Sequence, residues 1–244
     1  LCNSGPQDRP YEERHGSATI AVVLQGSFQY RAAHGEEVMS AGSVLLGNSG
    51  QSFECRHEHG TGDRCLSFSY TPEFLERAEI NDAFGVHRVP PLRGLSSWLV
   101  QAKLAQAVPA RVQMAELAHG ILSAVLGLIQ EPNGSRTASA ADERRISSVL
   151  RFLEAHLGDD LSLERLASVA RMSEFHFLRV FRQVTGVTPH QYILRSRLRE
   201  TAIRLKTCRR AVFEIALDAG FRDLSNFNHA FQAEFGMSPT RFRG

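Results

Sequence analysis

LASVARMSEFHFLRVFRQVTGVTPHQY, residues 166–192, and IALDAGFRDLSNFNHAFQAEFGMSPTRF, residues 215–242, are two copies of one pattern. The copies lie 49–50 residues apart, and the second has one extra residue in its turn. Many matched positions in a chain of unbiased composition predict an internal structural repeat. The matched pairs are Ala167 with Ala216, Ala170 with Ala219, Phe177 with Phe227, Phe181 with Phe231, Gly186 with Gly236, Pro189 with Pro239 and Tyr192 with Phe242.

Each copy predicts a short helix, a tight turn and a longer helix that ends at a glycine. Small side chains at Ala167 and Ala170 would let the second helix cross close over the first, while Phe177 and Phe181 bury its inner face. This is helix-turn-helix geometry, in which the second helix enters the major groove of DNA. A plain helical-hairpin repeat is the alternative, but the outward positions are mostly long or polar, which favours DNA binding.

The segment between the copies, TPHQYILRSRLRETAIRLKT at 188–207, predicts one long helix capped by Thr188 with Pro189 in its first turn. About 17 helical residues at ~1.5 Å each would span roughly 25 Å. A rod of that length can hold two recognition helices in successive major-groove turns, about 34 Å apart.

Residues 143–243 resemble the DNA-binding domain of AraC/XylS-type transcriptional regulators. The resemblance implies double-stranded DNA as the partner, with bases read from the outward faces of the two longer helices. His229 and Gln232 stand where the family often has basic residues. The stretches that carry the resemblance are LSLERLA (161–167), FLRVFRQVTGVTPHQY (177–192), the arginine-rich linker helix, IALDAGF (215–221) and FNHAFQAEFGMSPTRFR (227–243). The predicted DNA contacts are Phe175, Leu178, Arg179, Arg182, Arg195, Arg199, Ser225, Asn226, Asn228, His229 and Gln232.

The first half of the chain has a different pattern. Residues 17–70 predict short strands with glycine turns, typical of a small barrel or sandwich, and 71–79 predict a short helix. Residues 94–107 and 110–130 predict helices, the second with a wide apolar stripe that packs against its own domain or forms a dimer seam. This half resembles the cupin-like effector module that many members of the family carry, followed by dimerisation helices.

The predicted fold class is therefore α+β. A cupin-like β-barrel with dimerisation helices (1–130) precedes a Pro/Gly/Ser/Ala-rich linker (131–142). An all-α domain with two helix-turn-helix motifs joined by a linker helix follows (143–244). Residues 1–141 carry a net charge of −3 and residues 142–244 a net charge of +5. A basic second half favours a polyanionic partner, although an ordinary solvated surface has a similar balance.

The chain has 244 residues, 43% of them hydrophobic, and no apolar run long enough to span a bilayer. It begins at Leu1 rather than Met, so we expect preceding residues in the natural protein. The given sequence shows neither the charged start nor the apolar core of a secretory signal. Four cysteines are too few for a disulfide scaffold. Reduced thiols and a cytoplasmic location are expected.

A second motif, FECRHEHGTGDRC at 53–65, raises the prospect of a metal site. On a strand, Phe53, Cys55, His57 and His59 would share one face, opposite a polar face. A three-residue hairpin loop would place Cys65 opposite His57, whereas a four-residue loop would turn Leu66, Phe68 and Tyr70 to the pocket. The candidate ligands for zinc or another thiophilic metal ion are Cys2, His15, Cys55, His57, His59 and Cys65.

Two alternatives to a metal site stay open at this stretch. Cys55 and Cys65 can pair as a redox couple, or the cysteines can be small buried apolar residues beside solvated histidines. An enzyme of the metal-dependent cupin class, fused to a helical domain, is the competing function. It needs histidines and a carboxylate from two strand pairs, yet the histidine-rich first motif of such enzymes is missing.

The sequence therefore predicts a DNA-binding regulator rather than an enzyme. Its first domain would sense a small effector, a metal ion or a redox signal. The expected partners are double-stranded DNA, RNA polymerase and a second copy of the chain, with no membrane. Both activation and repression of transcription are compatible with the sequence, and activation is the form we expect.

Overall fold

The computed structural model describes residues 12–33, 35–57, 62–77, 80, 84–106, 111–129 and 138–244. Two antiparallel four-stranded sheets form the first half of the chain, in the strand orders β1-β6-β3-β4 and β7-β2-β5-β8. The strands are β1 Glu12–Arg14, β2 Ala18–Gln25, β3 Ser27–Ala32, β4 Gly35–Ser40, β5 Val44–Gly47, β6 Ser52–Arg56, β7 Arg64–Tyr70 and β8 Arg88–Val89. The predicted small β-domain with glycine turns is confirmed, and Gly26 turns the chain between β2 and β3 with a φ of 82°.

In the described part of this domain, three α-helices and a short 3-10 helix at Arg93–Leu95 accompany the sheets; the α-helices are α1 Pro72–Arg77, α2 Ser96–Ala105 and α3 Arg111–Leu128. Strand β2 shows how they attach, because its side chains alternate between two apolar clusters. Ala21 and Val23 face the other sheet and pack near Tyr30 and Met39. Ile20, Val22 and their neighbours on β5 and β7 pack against α2 and α3 instead.

The apolar stripe of α3 is therefore used inside its own domain. Leu122 is only 4% exposed and belongs to the cluster that covers the second sheet, as do Leu117, Ile121 and Val125. Of the two interpretations that the sequence allows, packing against the parent domain is the one that the structure shows. Leu122 is buried within one chain, so a dimer seam on these helices would have to use their more exposed positions, and the dimer stays a prediction.

The hairpin predicted around Cys55 and Cys65 is also wrong. Strand β6 pairs with β1 and β3, whereas β7 pairs with β2 in the other sheet. The chain therefore crosses from one sheet to the other between His57 and Arg64, and neither predicted hairpin register forms. The face assignment of β6 is confirmed, since Phe53 and Cys55 pack into the interior between the sheets while Arg56 is exposed.

The second half is helical and contains the predicted repeat. Helix α5, a turn and α6 form the first copy, and α8, a turn and α9 form the second, with Gly186 and Gly236 ending the longer helices in left-handed conformations. Ser162 and Thr188 cap α5 and α7 as predicted. The helices are α4 Ala140–Ala155, α5 Leu163–Ala170, α6 Glu174–Thr185, α7 Pro189–Thr207, α8 Val212–Asp218, α9 Leu224–Phe235 and α10 Pro239–Arg243.

Helix α4 begins inside the predicted linker, because Ser139 caps it and accepts a hydrogen bond from the Asp142 amide. Residues 130–137 of that linker lie outside the described residues. Two separate apolar cores hold the helices. Phe177 and Phe181 lie in the first core, with α4, α5 and the start of α7, and Phe227 and Phe231 lie in the second, with the end of α7. Residues of the first domain join each core: Val38 and Leu92 the first, Val100 and Leu104 the second.

Candidate DNA interface

The two longer helices of the repeat, α6 and α9, present all their predicted base-reading side chains to solvent. Burial of Phe177, Val180 and Phe181 on one side of α6 turns the intervening positions outward, and Phe175 is 90% exposed. Phe227 and Phe231 orient α9 in the same way. The exposed candidates are Phe175, Leu178, Arg179, Arg182, Ser225, Asn226, Asn228, His229 and Gln232.

The chemistry of the two faces differs. Helix α6 offers Arg179 and Arg182, and a guanidinium can donate two hydrogen bonds to one guanine. The Arg179 Nη2 lies 3.0 Å from His176 Nδ1, one turn earlier on the same exposed face. Helix α9 offers amide, hydroxyl and imidazole groups, and the Asn226 side chain donates to the capping carboxylate of Asp223 at 3.2 Å. The first helix therefore carries the cationic side chains.

The two linker-helix arginines predicted to contact phosphate lie elsewhere. Arg199 is 8% exposed, and its Nη1 has no hydrogen-bond partner in the described part of the chain. Burial lowers the pKa of this guanidinium. Arg195 is half-buried and donates to the Pro91 carbonyl at 3.2 Å. Both predictions are corrected for this conformation, because the sheet domain and α2 cover this face of α7 and phosphate cannot reach Arg199.

Polar contacts join the sheet domain to the helical domain around α7. The Gly26 amide donates to Glu154 Oε1 at 2.8 Å, and Gln29 Nε2 donates to Glu143 Oε2 at 3.2 Å. Ser96 on α2 donates to Glu234 on α9. A cavity of about 280 Å³ remains between β2, α2, α4 and α7. The first domain therefore touches the linker helix, the helix before the repeat and both candidate recognition helices, α6 through β4 and α9 through α2.

This two-domain arrangement agrees with comparisons to known proteins. The profile of the AraC-like ligand binding domain matches residues 3–150, more than half of the chain, and a helix-turn-helix domain profile matches residues 166–244. The chain belongs to the AraC/XylS family. It is a DNA-binding transcriptional regulator with an AraC-like ligand-binding domain.

Relatives of this AraC-family regulator share its helical half. Regulatory protein SoxS of Salmonella typhimurium is 31% identical over 98 residues, which cover 40% of this chain and 92% of SoxS. Probable transcriptional regulator LumQ of Photobacterium leiognathi is 36% identical over 101 residues, 41% of each chain, so the match spans less than half of LumQ. The crystallised DNA-binding domain of AdpA, in complex with a target DNA, is 31% identical with a TM-score of 0.40, covering 41% of this chain and 89% of that one.

Within the ligand-binding domain, His15 lies inside the sandwich. Its Nε2 is 2.9 Å from the Tyr30 hydroxyl, and its ring stacks on Phe53 with centroids 4.2 Å apart. Burial, and then the nearby His87, lower the pKa of His15. Tyr30 on β3 lies opposite Cys55 on β6. The candidate ligands His15 and Cys55 are therefore both neighbours of Tyr30.

Asp63, which the sequence analysis did not select, joins two other candidate ligands. Its Oδ1 lies 3.2 Å from His57 Nδ1, and its Oδ2 accepts from Cys65 Sγ at 3.3 Å. Burial raises the pKa of Cys65, and the charge of Asp63 raises it further. The thiol of Cys65 therefore keeps its proton at neutral pH. The only sequence signal for Asp63 was its place two residues before a strand cysteine.

No group of three His, Cys, Asp or Glu side chains in the described ranges is arranged to hold a metal ion. Cys2 and His59, two of the predicted ligands, lie outside those ranges. Cys55 and Cys65 lie on strands of opposite sheets, and no disulfide joins them. Among the helices that the structure describes, none is both long enough and apolar enough to cross a membrane.

Proposed function

We propose that this regulator binds a specific double-stranded DNA sequence with the outward faces of α6 and α9, placed in successive major-groove turns. The observation that carries the proposal is the exposure of all nine candidate side chains on two helices that the repeat makes equivalent. The polar side chains on these faces can hydrogen-bond base edges, and Arg179 and Arg182 add charge that attracts the phosphate backbone.

The ligand-binding domain would control DNA binding through its contact with α7. A ligand shifts a protein between two states only if it binds them with different affinity. An effector that binds better when the sheet domain has left α7, or better when it stays docked, would change how freely α6 and α9 meet DNA. Under this proposal the protein acts in the cytoplasm as a regulator without an enzymatic reaction and recruits RNA polymerase. It forms a homodimer through the exposed side of the helices at 94–130.

The effector in this proposal is a thiophilic metal ion, such as zinc, or an oxidant sensed through Cys55, His57 and Cys65. The contacts of Asp63 with His57 and with Cys65 support it, because they bring a carboxylate, an imidazole and a thiol close together, although the three side chains would have to rearrange to hold an ion. A metal ion there would displace the Cys65 proton; Cys2 and His59, the other predicted ligands, lie outside the described residues.

Selection of bound fragments from a random DNA library by the full chain tests the DNA-binding part of the proposal. Recovery of one enriched motif with two parts is the expected result, and recovery of unrelated sequences would contradict it. Metal analysis of protein purified without chelator, with Cys55→Ser and Cys65→Ser variants in a reporter assay, tests the effector. Wild-type response to zinc or peroxide should be lost in both variants; a normal response in both, with metal-free protein, would reject this effector.

A further inference from the structure

The two helix-turn-helix units are packed as separate bodies. The first unit has its own apolar core and the second unit has another, and the two cores share no residue. Between the units lies an open cleft of about 860 Å³, whose wall includes Leu178 of α6 and Asn226 of α9. Helix α7 runs through both cores and fixes the distance between the units. A single connecting helix does not by itself prevent one unit from rotating about the helix axis, so other contacts must restrain that rotation.

Arg197, at the middle of α7, spans the cleft with one side chain. Its Nε donates to the Leu157 carbonyl at 2.9 Å, and its Nη2 donates to the Asp159 carbonyl. Both carbonyls belong to the segment that leads into α5. Its Nη1 donates to the Gly220 carbonyl at 3.0 Å, in the turn between α8 and α9. One planar guanidinium therefore joins the entry of the first unit to the turn of the second.

The backbone around Arg197 is shaped to admit this side chain. Gly220 has a φ of 91°, and a Cβ atom there would stand 2.7 Å from the Arg197 Cζ. A second link across the cleft, Arg222 to Asp160 at 3.0 Å, has both side chains more than two-thirds exposed. Exposed ion pairs contribute little, so among the direct contacts between the two units the restraint rests mainly on Arg197. The first domain also touches both units, and that contact is common to wild type and to variants of Arg197.

We propose that Arg197 is a positioning residue that fixes the orientation of the two recognition helices, and thereby sets the base-pair spacing that the regulator accepts between its two half-sites. The inference rests on the proposed binding by α6 and α9. Arg197 would contact no base; it acts through the carbonyls of Leu157, Asp159 and Gly220. When two binding units are rigidly linked, the second unit binds DNA with little further loss of entropy, which raises the overall affinity. That increase in affinity is lost when the link lets the two units turn independently.

Arg197→Lys tests the proposal, because it keeps the charge and the aliphatic stem but cannot donate to three carbonyls in a plane. Full-length wild type and variant are titrated with three DNAs: the selected operator, the operator with one base pair inserted between its halves, and the operator with only the first half intact. Wild type should prefer the selected operator over both others. The variant should bind the first half alone as wild type does, while its preference for the two-part operator over the other DNAs falls about tenfold or more.

Two glycine-to-alanine variants distinguish a positioning role of Arg197 from a general loss of stability. Gly220→Ala pushes a Cβ into the Arg197 guanidinium, whereas Gly236, with a φ of 76°, has nothing within 4 Å of the same Cβ position. Both alanines carry the strain of a positive φ, so only the displacement of Arg197 differs. Gly220→Ala should relax the spacing preference as Arg197→Lys does, and Gly236→Ala should retain it.

The outcomes distinguish the two claims. Variants that keep the full spacing preference, in a wild type that does gain from the second half-site, would overturn the role of Arg197 and leave the proposed function intact. A wild type that gains nothing from the second half-site would overturn both. An equal loss on all three DNAs, shared by Gly236→Ala, would assign Arg197 to stability and would also overturn the proposal.

Discussion

The guanidinium of Arg199 on the linker helix lies against the backbone of Gly42, in the turn between β4 and β5. A Cβ atom on residue 42 would stand 2.6 Å from Arg199 Nη2, so only glycine leaves room for this contact. Arg199 is buried where the ligand-binding domain meets the helix that connects the two DNA-binding units. This pair therefore joins the ligand-binding domain directly to the linker helix.

Gly42→Ala should loosen the docked arrangement. The added methyl group must displace the buried Arg199, and the φ of 93° at residue 42 adds backbone strain. Gly50→Ala is the matched control, since its φ of 76° carries a similar strain and no atom lies within 4 Å. Small-angle scattering should show a larger radius of gyration for Gly42→Ala alone. An unchanged radius in both variants would show that Arg199 does not hold the domains together.

Arg179→Ala should weaken binding to the selected operator by about 1–3 kcal/mol and relax the preference at one base position, because a bidentate contact to guanine would be lost. Affinities for single-base variants of the operator measure this. Arg144→Ala, which removes an exposed arginine from α4 outside the recognition helices, is the control and should keep the base preference. An equal fall on all sequences would make Arg179 a phosphate contact.

Leu122→Ala should lower the free energy of unfolding by about 2–5 kcal/mol, because the leucine fills the apolar core between α3 and the second sheet. Ser123→Ala, on the exposed side of the same helix, should change it by about 0.5 kcal/mol or less. Urea denaturation gives both values, and light scattering on the same samples reports the oligomeric state. If Leu122→Ala keeps its stability and changes only from dimer to monomer, Leu122 lies in the dimer interface and the core assignment is contradicted.

The stability of the chain should fall with acidification through His15. Its pKa is lowered in the folded protein, so the unfolded chain takes up a proton first as the pH drops below the ordinary value of 6.5. The stabilisation is present above 6.5 and is lost as the pH falls towards the folded pKa. His15→Gln should lose less stability than wild type between about pH 7 and about pH 5. His190→Gln, at an exposed histidine, should follow wild type, and parallel curves for wild type and His15→Gln would contradict the assignment.

The repeat, its caps and the outward faces of α6 and α9 could be predicted because local rules determine them. Ser162 and Thr188 cap their helices through neighbouring amides, and the spacing of Phe177 and Phe181 orients α6 without reference to the rest of the chain. Arg179 is exposed for the same reason. Sequence periodicity is a reliable guide where a helix needs only its own turns and one apolar face.

Contacts between distant segments could not be predicted in this way. Arg195, Arg197 and Arg199 look alike in a run of arginines, yet one donates to Pro91, one spans the cleft and one is buried against Gly42. The prediction that the strands of Cys55 and Cys65 pair in one hairpin was wrong for a related reason. The alternation of side chains within one strand determines which of them face the interior. Which strand it pairs with depends on the packing of both sheets.

Chemical footprinting of the full chain on its selected operator tests the central claim most directly. Two recognition helices held by α7 should protect guanines in two successive major-groove segments, about 10 base pairs apart on one face of the duplex. The Arg179→Ala protein should lose protection at one position of the first segment and keep the second. A single protected segment, or protection that spreads evenly along any DNA, would contradict a regulator that reads its operator with α6 and α9 together.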